Sequence, residues 1–156
     1  MNYPLLAINE ALSLLPSKMT TRAALVQLLA IGAQESMDYQ HRRQMGNGPA
    51  RGFWQFEMNG GVKGVLTHGL TRTIAGEICA KRFVSFDKQA VWEALEFDDV
   101  LAAAFARLLL WTDPFKLPAI GQANAAWDLY LRTWRPGKPH PDKWEARYDA
   151  AVLACA

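Results

Sequence analysis

The chain reads as a mainly α protein of one domain, and three observations predict it. Apolar side chains return at three- and four-residue intervals in one segment after another, the spacing of a single buried helical face. Glycine, proline and small polar clusters interrupt those segments at the places where helices should stop. A length of 156 residues suits one well-filled core, and 51% hydrophobic with 21% charged residues is an ordinary soluble composition. The pattern amounts to about seven helices with an irregular loop or short β-hairpin between residues 37 and 61.

Taken in order, the first helix is predicted from Pro4, a good first-turn residue, to Leu15, with Leu5, Ile8, Leu12 and Leu15 as its stripe. Thr20 or Thr21 caps the second, which runs from Arg22 to Ser36 on Leu25, Leu28, Leu29 and Gly32. Residues 60–69 offer a helical turn or two around Val62, Val65 and Leu66. Leu70–Phe83 forms a helix through Ile74, Ile78 and Cys79, and Asp87 caps a short one through Val91, Trp92 and Leu95. Asp98 or Asp99 opens the most apolar segment, Val100 to Trp111, which is apolar nearly all round and therefore belongs at the centre of the core. Pro114 and Pro118 end it, Ala119–Trp134 follows, and a last helix spans Asp142 to Leu153. Between these two, Arg135-Pro136-Gly137-Lys138-Pro139-His140-Pro141 cannot be regular structure and reads as a basic surface connector, with a basic loop packing near a cleft as the alternative; Arg132, Arg135 and Lys138 read as solvated surface, with contact to an anionic polymer as the alternative.

The chemistry concentrates in two stretches. Glu35 lies seven residues after Leu28 and four after Ile31, on the apolar face of its helix, whereas Gln34 lines up with Gln27 on the face expected to be wet. Burial disfavours the ionised carboxylate, and the negative end of the helix dipole acts in the same direction, so the pKa of Glu35 should rise toward that of a general acid working near neutrality. The competing reading is structural, an ion pair with Arg42, Arg43 or Arg51. The second stretch, Gly52-Phe53-Trp54-Gln55-Phe56-Glu57, follows turn chemistry at Gly48-Pro49. Its glycine permits close backbone approach, its rings offer flat apolar faces, and Gln55 offers an amide with donors and an acceptor; the competing reading of each single ring is ordinary core. A saccharide, with apolar C–H faces and a rim of hydroxyl and acetamido groups, is the complementary surface.

Glu35-Ser36 followed by Gly52-Phe53-Trp54-Gln55 resembles the paired motif of the lysozyme-like lytic transglycosylases, in which a Glu-Ser at a helix end precedes a Gly-Leu-Met-Gln-type segment. The resemblance covers residues 22–57, and the small size and compact spacing look like a phage or prophage member. Phe53 and Trp54 stand where the family has Leu and Met, and Phe56-Glu57 replaces its aliphatic ending. The family's later Tyr-Asn-Ala-Gly motif has its nearest counterpart in Asn124-Ala125-Ala126-Trp127 with Tyr130. The resemblance implies a single lysozyme-like domain in which residues 37–61 form one cleft wall. It implies Glu35 as the catalytic acid on peptidoglycan, and Ser36, Gly52, Phe53, Trp54, Gln55, Glu57 and Tyr130 as substrate-binding residues. The implied reaction breaks the β-1,4 bond between N-acetylmuramic acid and N-acetylglucosamine with one carboxylate and no cofactor. An inverting hydrolase would need a second carboxylate roughly 6.5 to 9.5 Å away, for which Asp38 and Glu57 are the candidates. The alternatives are a hydrolytic muramidase and a wall-binding or virion structural module without turnover.

Other chemistries are set aside. His41, His68 and His140 form no pair at ligand spacing, so no metal is expected. Cys79 falls on an apolar stripe and reads as an inert core thiol; with Cys155 it is expected reduced. The glycines at 46, 48 and 52 lack the spacing and preceding strand of a nucleotide loop. A formal charge of +2 does not point to nucleic acid. No segment is long enough to span a membrane, and Asn9 and Glu10 interrupt the apolar run of the first sixteen residues, so a signal peptide is not expected. The expectation is a monomer made in the bacterial cytoplasm and delivered to the wall by a holin or as part of a virion.

Overall fold

The computed structural model describes residues 2–156 as a single all-helical domain. Its α-helices are α1 (Tyr3–Ser13), α2 (Arg22–Ser36), α3 (Lys63–Thr67), α4 (Arg72–Lys81), α5 (Lys88–Leu95), α6 (Asp99–Trp111), α7 (Ala123–Trp134) and α8 (Trp144–Ala154). The one beyond the expected seven is the five-residue α3, entered through a π-helical turn at Met58–Val62, where a turn or two was predicted. The predicted start at residue 119 moves to Ala123, because the Gln122 carboxamide oxygen accepts from the Ala119 amide (3.1 Å) and holds a turn there instead. The start predicted at Asp142 moves to Trp144, after one 3-10 turn at Pro141–Lys143.

The capping chemistry is local and matches the residue types. Thr21 accepts from Ala24 N (3.1 Å), Asp87 from Ala90 N (3.0 Å) and Asp98 from Leu101 N (3.0 Å), each side chain satisfying one of the amides left unpaired at a helix start. Asp98 also takes both arms of Arg82, each at 3.0 Å, which ties the end of α4 to the start of α6.

Helix α6 is the axis of the core. Every residue of it is buried except Leu109 and Trp111, and Phe105 is completely enclosed, so Phe105→Ala would cost about 3–5 kcal/mol. Ala102, Ala103, Ala104 and Ala106 keep the helix slender, and α1 runs closely along it while α2 to α5 and α7 pack at its other sides. Its one interior cation, Arg107, donates to Met19 O (2.8 Å) and lies 5.2 Å from the Trp111 ring centre; burial pulls its pKa down to about 10.

Helix α2 packs on α1 on one side and on α8 on the other, so its supposedly wet face is covered. Gln27 and Gln34 are both buried, contrary to expectation, and each satisfies its amide on a distant carbonyl: Gln27 Nε2 donates to Ala126 O at 3.0 Å. Among the described residues no helix is long and apolar enough to cross a membrane.

Candidate functional site

Helix α2 ends in a sharp left-handed turn. Met37, Asp38 and Tyr39 have φ of 52°, 60° and 65°, three successive non-glycine residues in a region that costs each of them energy. The turn is over-determined by its bonds: Asp38 N donates to Ala33 O (2.8 Å), Tyr39 N to Ser36 Oγ (2.9 Å) and His41 N to Ser36 O (3.1 Å). The Tyr39 phenol folds back and donates to Leu29 O (2.8 Å), passing over Gly32, where a Cβ would lie 2.2 Å from the phenol oxygen. Gly32 thus sits in the apolar stripe of α2 to admit that ring.

The turn launches the first wall, residues 40–57. The predicted hairpin shrinks to two isolated bridges, Arg43 with Arg51 and Arg51 with Phe56. Its anchor is Arg42, which forks onto the buried Asp99 at the head of α6 through two hydrogen bonds, one of them at 2.9 Å; Asp99 also accepts from the Tyr3 hydroxyl at 2.7 Å. Gly52 has φ +77°, and a Cβ there would stand 2.3 Å from Leu95 O, so the close approach expected of this glycine is to α5 and not to a ligand.

Between this wall and the far end of α7 lies a cleft of about 670 Å³. Glu35 stands in its lining, and burial pushes the carboxyl up to about 7, an effect larger than the opposing hydrogen bond from the Tyr130 hydroxyl to Oε1. The position in the last turn of α2, next to the negative end of the helix dipole, acts in the same direction as burial. Tyr130 is itself fixed by stacking on Trp144, with ring centres 5.5 Å apart and 6° between planes. Burial first, and then the Glu35 charge, hold its phenol well above the ordinary range, so it remains a proton donor to the carboxyl near neutral pH.

The arginines named as ion-pair partners for Glu35 are engaged elsewhere. Arg42 binds Asp99, Arg43 binds Glu96 at 3.0 Å and Arg51 approaches Glu96 at 3.9 Å.

Several expected substrate contacts are instead structural. Ser36 is fully buried, donating to Gly32 O (2.5 Å) and accepting from Tyr39 N, so it braces the helix end. Phe53 packs edge-on against Tyr39 (5.1 Å) under the Arg42 guanidinium (4.2 Å). Trp54 is 0% exposed and donates from Nε1 to Leu28 O (3.0 Å). Gly52, Phe53 and Trp54 all lie outside the cleft lining, because rings of that size in a small domain contribute most when they are removed from water. Phe56, also buried, is the aromatic of this segment that reaches the lining. Gln55 lines the cleft, but its NH₂ group is engaged within the loop, donating to Gly52 O (2.9 Å) and Arg42 O (3.4 Å). Glu57 is exposed in the lining and has no ion-pair partner among the described residues. Tyr130 reaches the lining at 2% exposure and holds Glu35. Asp38 points elsewhere: its carboxylate takes Arg147 at 2.9 and 3.2 Å beside a separate small hollow.

The opposite wall is the proline-rich segment read as a surface connector or a basic loop near the cleft, and it takes the second of those places. Residues 135–140 line the cleft across from residues 41–57. Gln34 holds this strap down, donating from Nε2 to Pro139 O (2.8 Å) and His140 O (3.0 Å), while Arg147 on α8 donates to Gln34 Oε1 (3.1 Å). Only the prolines at 136, 139 and 141 signalled in the sequence that the segment would be stiff. Four non-glycine residues with positive φ, Met37, Gln55, Arg135 and His140, meet in this one lining, and strained backbone gathers where a site must be held in shape.

Among the described residues no three His, Cys, Asp or Glu side chains converge in a way that could hold a metal. Cys79 and Cys155 are free and buried, and burial raises the Cys79 thiol to about 11, which leaves it unreactive. Compared with known proteins, the chain matches no protein-family model, no curated protein and no solved structure.

Proposed function

We propose that this chain cleaves peptidoglycan glycan strands at the β-1,4 bond between N-acetylmuramic acid and N-acetylglucosamine, acting as a lytic transglycosylase with Glu35 as its single catalytic acid. The observation that carries the reading is one carboxyl, raised to about 7 by burial and gripped by Tyr130, in the lining of a cleft of about 670 Å³. Near neutral pH such a group is protonated in a large share of molecules, as an acid that must protonate a leaving oxygen requires. The motif resemblance of residues 22–57 to the lysozyme-like lytic transglycosylases supports the same assignment.

In the proposed reaction Tyr130 occupies Oε1 of Glu35, and the other carboxyl oxygen gives its proton to the glycosidic oxygen as the bond to C1 breaks. The resulting carboxylate takes the proton of the muramyl 6-hydroxyl, whose oxygen attacks C1 and closes a 1,6-anhydro ring. No water is consumed and no cofactor takes part. Export through a holin or assembly into a virion would bring the protein to its substrate.

One observation favours a hydrolytic second reading: Glu57 stands exposed in the same lining and, among the described residues, without an ion-pair partner, as a second carboxylate that could serve as the base of a muramidase. Turbidity clearing of purified sacculi by Glu35→Gln and Glu57→Ala separates the two. The transglycosylase reading expects Glu35→Gln to be inactive and Glu57→Ala to retain turnover. Loss of turnover in both, with both folded, favours the muramidase, and retained clearing by Glu35→Gln rejects Glu35 as the acid.

A further inference from the structure

We infer that the 135–140 strap recognises anions, with Arg135 and Lys138 binding carboxylates of the peptide chains that hang from a glycan strand lying in the cleft. The inference deepens the peptidoglycan reading and rests on it. Its basis is a contrast in charge pairing. On the first wall Arg42, Arg43 and Arg51 are each matched to Asp99 or Glu96. On the strap, Arg135 and Lys138 are exposed and, among the described residues, have no carboxylate in ion-pair reach; the Arg135 Nε reaches only Arg132 O, at 3.5 Å. Glu35 in the same lining carries only part of a negative charge near neutral pH, so the strap side of the cleft carries net positive charge.

These cations are not on a loose tail. Arg135 and His140 bracket the strap with φ of 49° and 54°, Pro136 and Pro139 stiffen it, and Gln34 pins its last two carbonyls to α2. A rigid platform loses little conformational freedom when it binds, the condition under which exposed charges add to affinity. A neutral sugar backbone has no use for two fixed cations, whereas the carboxylates of attached peptides do. The strap would therefore favour strands that still carry their peptides.

The test uses the Glu35→Gln protein, which leaves the polymer intact, and sacculi freed of phosphate polymers. Retention is compared on these sacculi and on the same sacculi with their peptide carboxylates capped as neutral amides by carbodiimide coupling. The expectation is retention about three- to tenfold better on the uncapped polymer near 0.1 M salt, the range two exposed ion pairs provide, with most of the difference gone near 1 M. Adding Arg135→Gln and Lys138→Gln together should abolish the difference, and a thermal melt of that protein confirms its fold. Equal retention on the two polymers, or a difference that survives the double substitution, overturns the strap as an anion reader. Failure of the underlying peptidoglycan reading shows separately, as a wild-type protein that releases no fragments from sacculi.

Discussion

The two walls of the cleft are built on opposite principles. Residues 40–57 turn their large rings and Arg42 inward, bury Trp54 completely and anchor on the head of α6, so this wall is an extension of the core. Residues 135–140 bury almost nothing and are kept in place by stiff backbone and a single glutamine. Glu35 lies between them at the end of α2, strained on the side of the first wall and tethered, through its neighbour Gln34, on the side of the second. A carboxyl in that place is held from both sides, by the core on one and by the pinned strap on the other.

The comparison breaks most severely at Arg42. Arg42→Ala would leave Asp99 as a buried carboxylate with only Tyr3 to accept from, and removal of one partner from such a pair costs about 3–5 kcal/mol. Denaturant unfolding should show that loss, and a change below about 1 kcal/mol would mean that the first wall is not anchored through α6.

The next largest effect is at Glu35 and depends on pH. Its folded-state value of about 7 is raised from 4.5, so between these two pH values the folded protein binds a proton that the unfolded chain does not. Stability therefore falls as pH rises through that window, with the full penalty, on the order of 3 kcal/mol at most, present above it. Glu35→Gln removes the titration. Relative to wild type it should be more stable at pH 8 than it is at pH 5, and parallel stability curves for the two proteins would contradict a buried, proton-retaining carboxyl.

Gly52→Ala should come third. The positive φ and the Leu95 carbonyl 2.3 Å from the new Cβ force the first wall away from α5, at a cost of about 1–3 kcal/mol. A thermal melt unchanged from wild type would contradict that approach. Gln34→Leu should be the mildest, about 1 kcal/mol, because it releases the strap and one bond from Arg147, which keeps its pair with Asp38. Hydrogen exchange should then speed up at Lys143, whose amide donates to the strap carbonyl of His140 (3.2 Å), while the amides of Arg51, Gly52, Gln55 and Phe56 keep their protection. Faster exchange on both walls would mean that the two are one unit.

The same division governs how much could be read from the sequence. Helix positions and three caps followed from spacing and residue type, because those are set by neighbours a few positions away. The placement of Glu35 on the apolar face of α2 was legible for the same reason. Trp54 was not: an aromatic next to a glycine satisfies both a sugar-binding wall and a core, and what decides is Leu28 O, 26 residues earlier. Gln27 and Gln34 looked wet because the carbonyls that satisfy them lie about a hundred residues away in sequence, at Ala126 and at Pro139 and His140. The strap read first as a connector and only second as a loop near the cleft on the same ground, since its prolines announce irregular backbone but not what lies opposite. Tyr130 was placed at the site, but its role as the partner of Glu35 depends on the packing of α7 and α8 behind it.

Mass spectrometry of fragments released from purified sacculi, before and after borohydride treatment, tests the single-carboxyl reaction most directly. A proton shuttled by Glu35 alone closes the muramyl 6-oxygen onto C1, so the fragments should end in 1,6-anhydromuramic acid, lighter by one water than a hydrolytic end and unchanged by borohydride. Fragments with reducible ends, whose formation stops in Glu57→Ala without loss of the fold, would contradict it and establish a two-carboxylate muramidase.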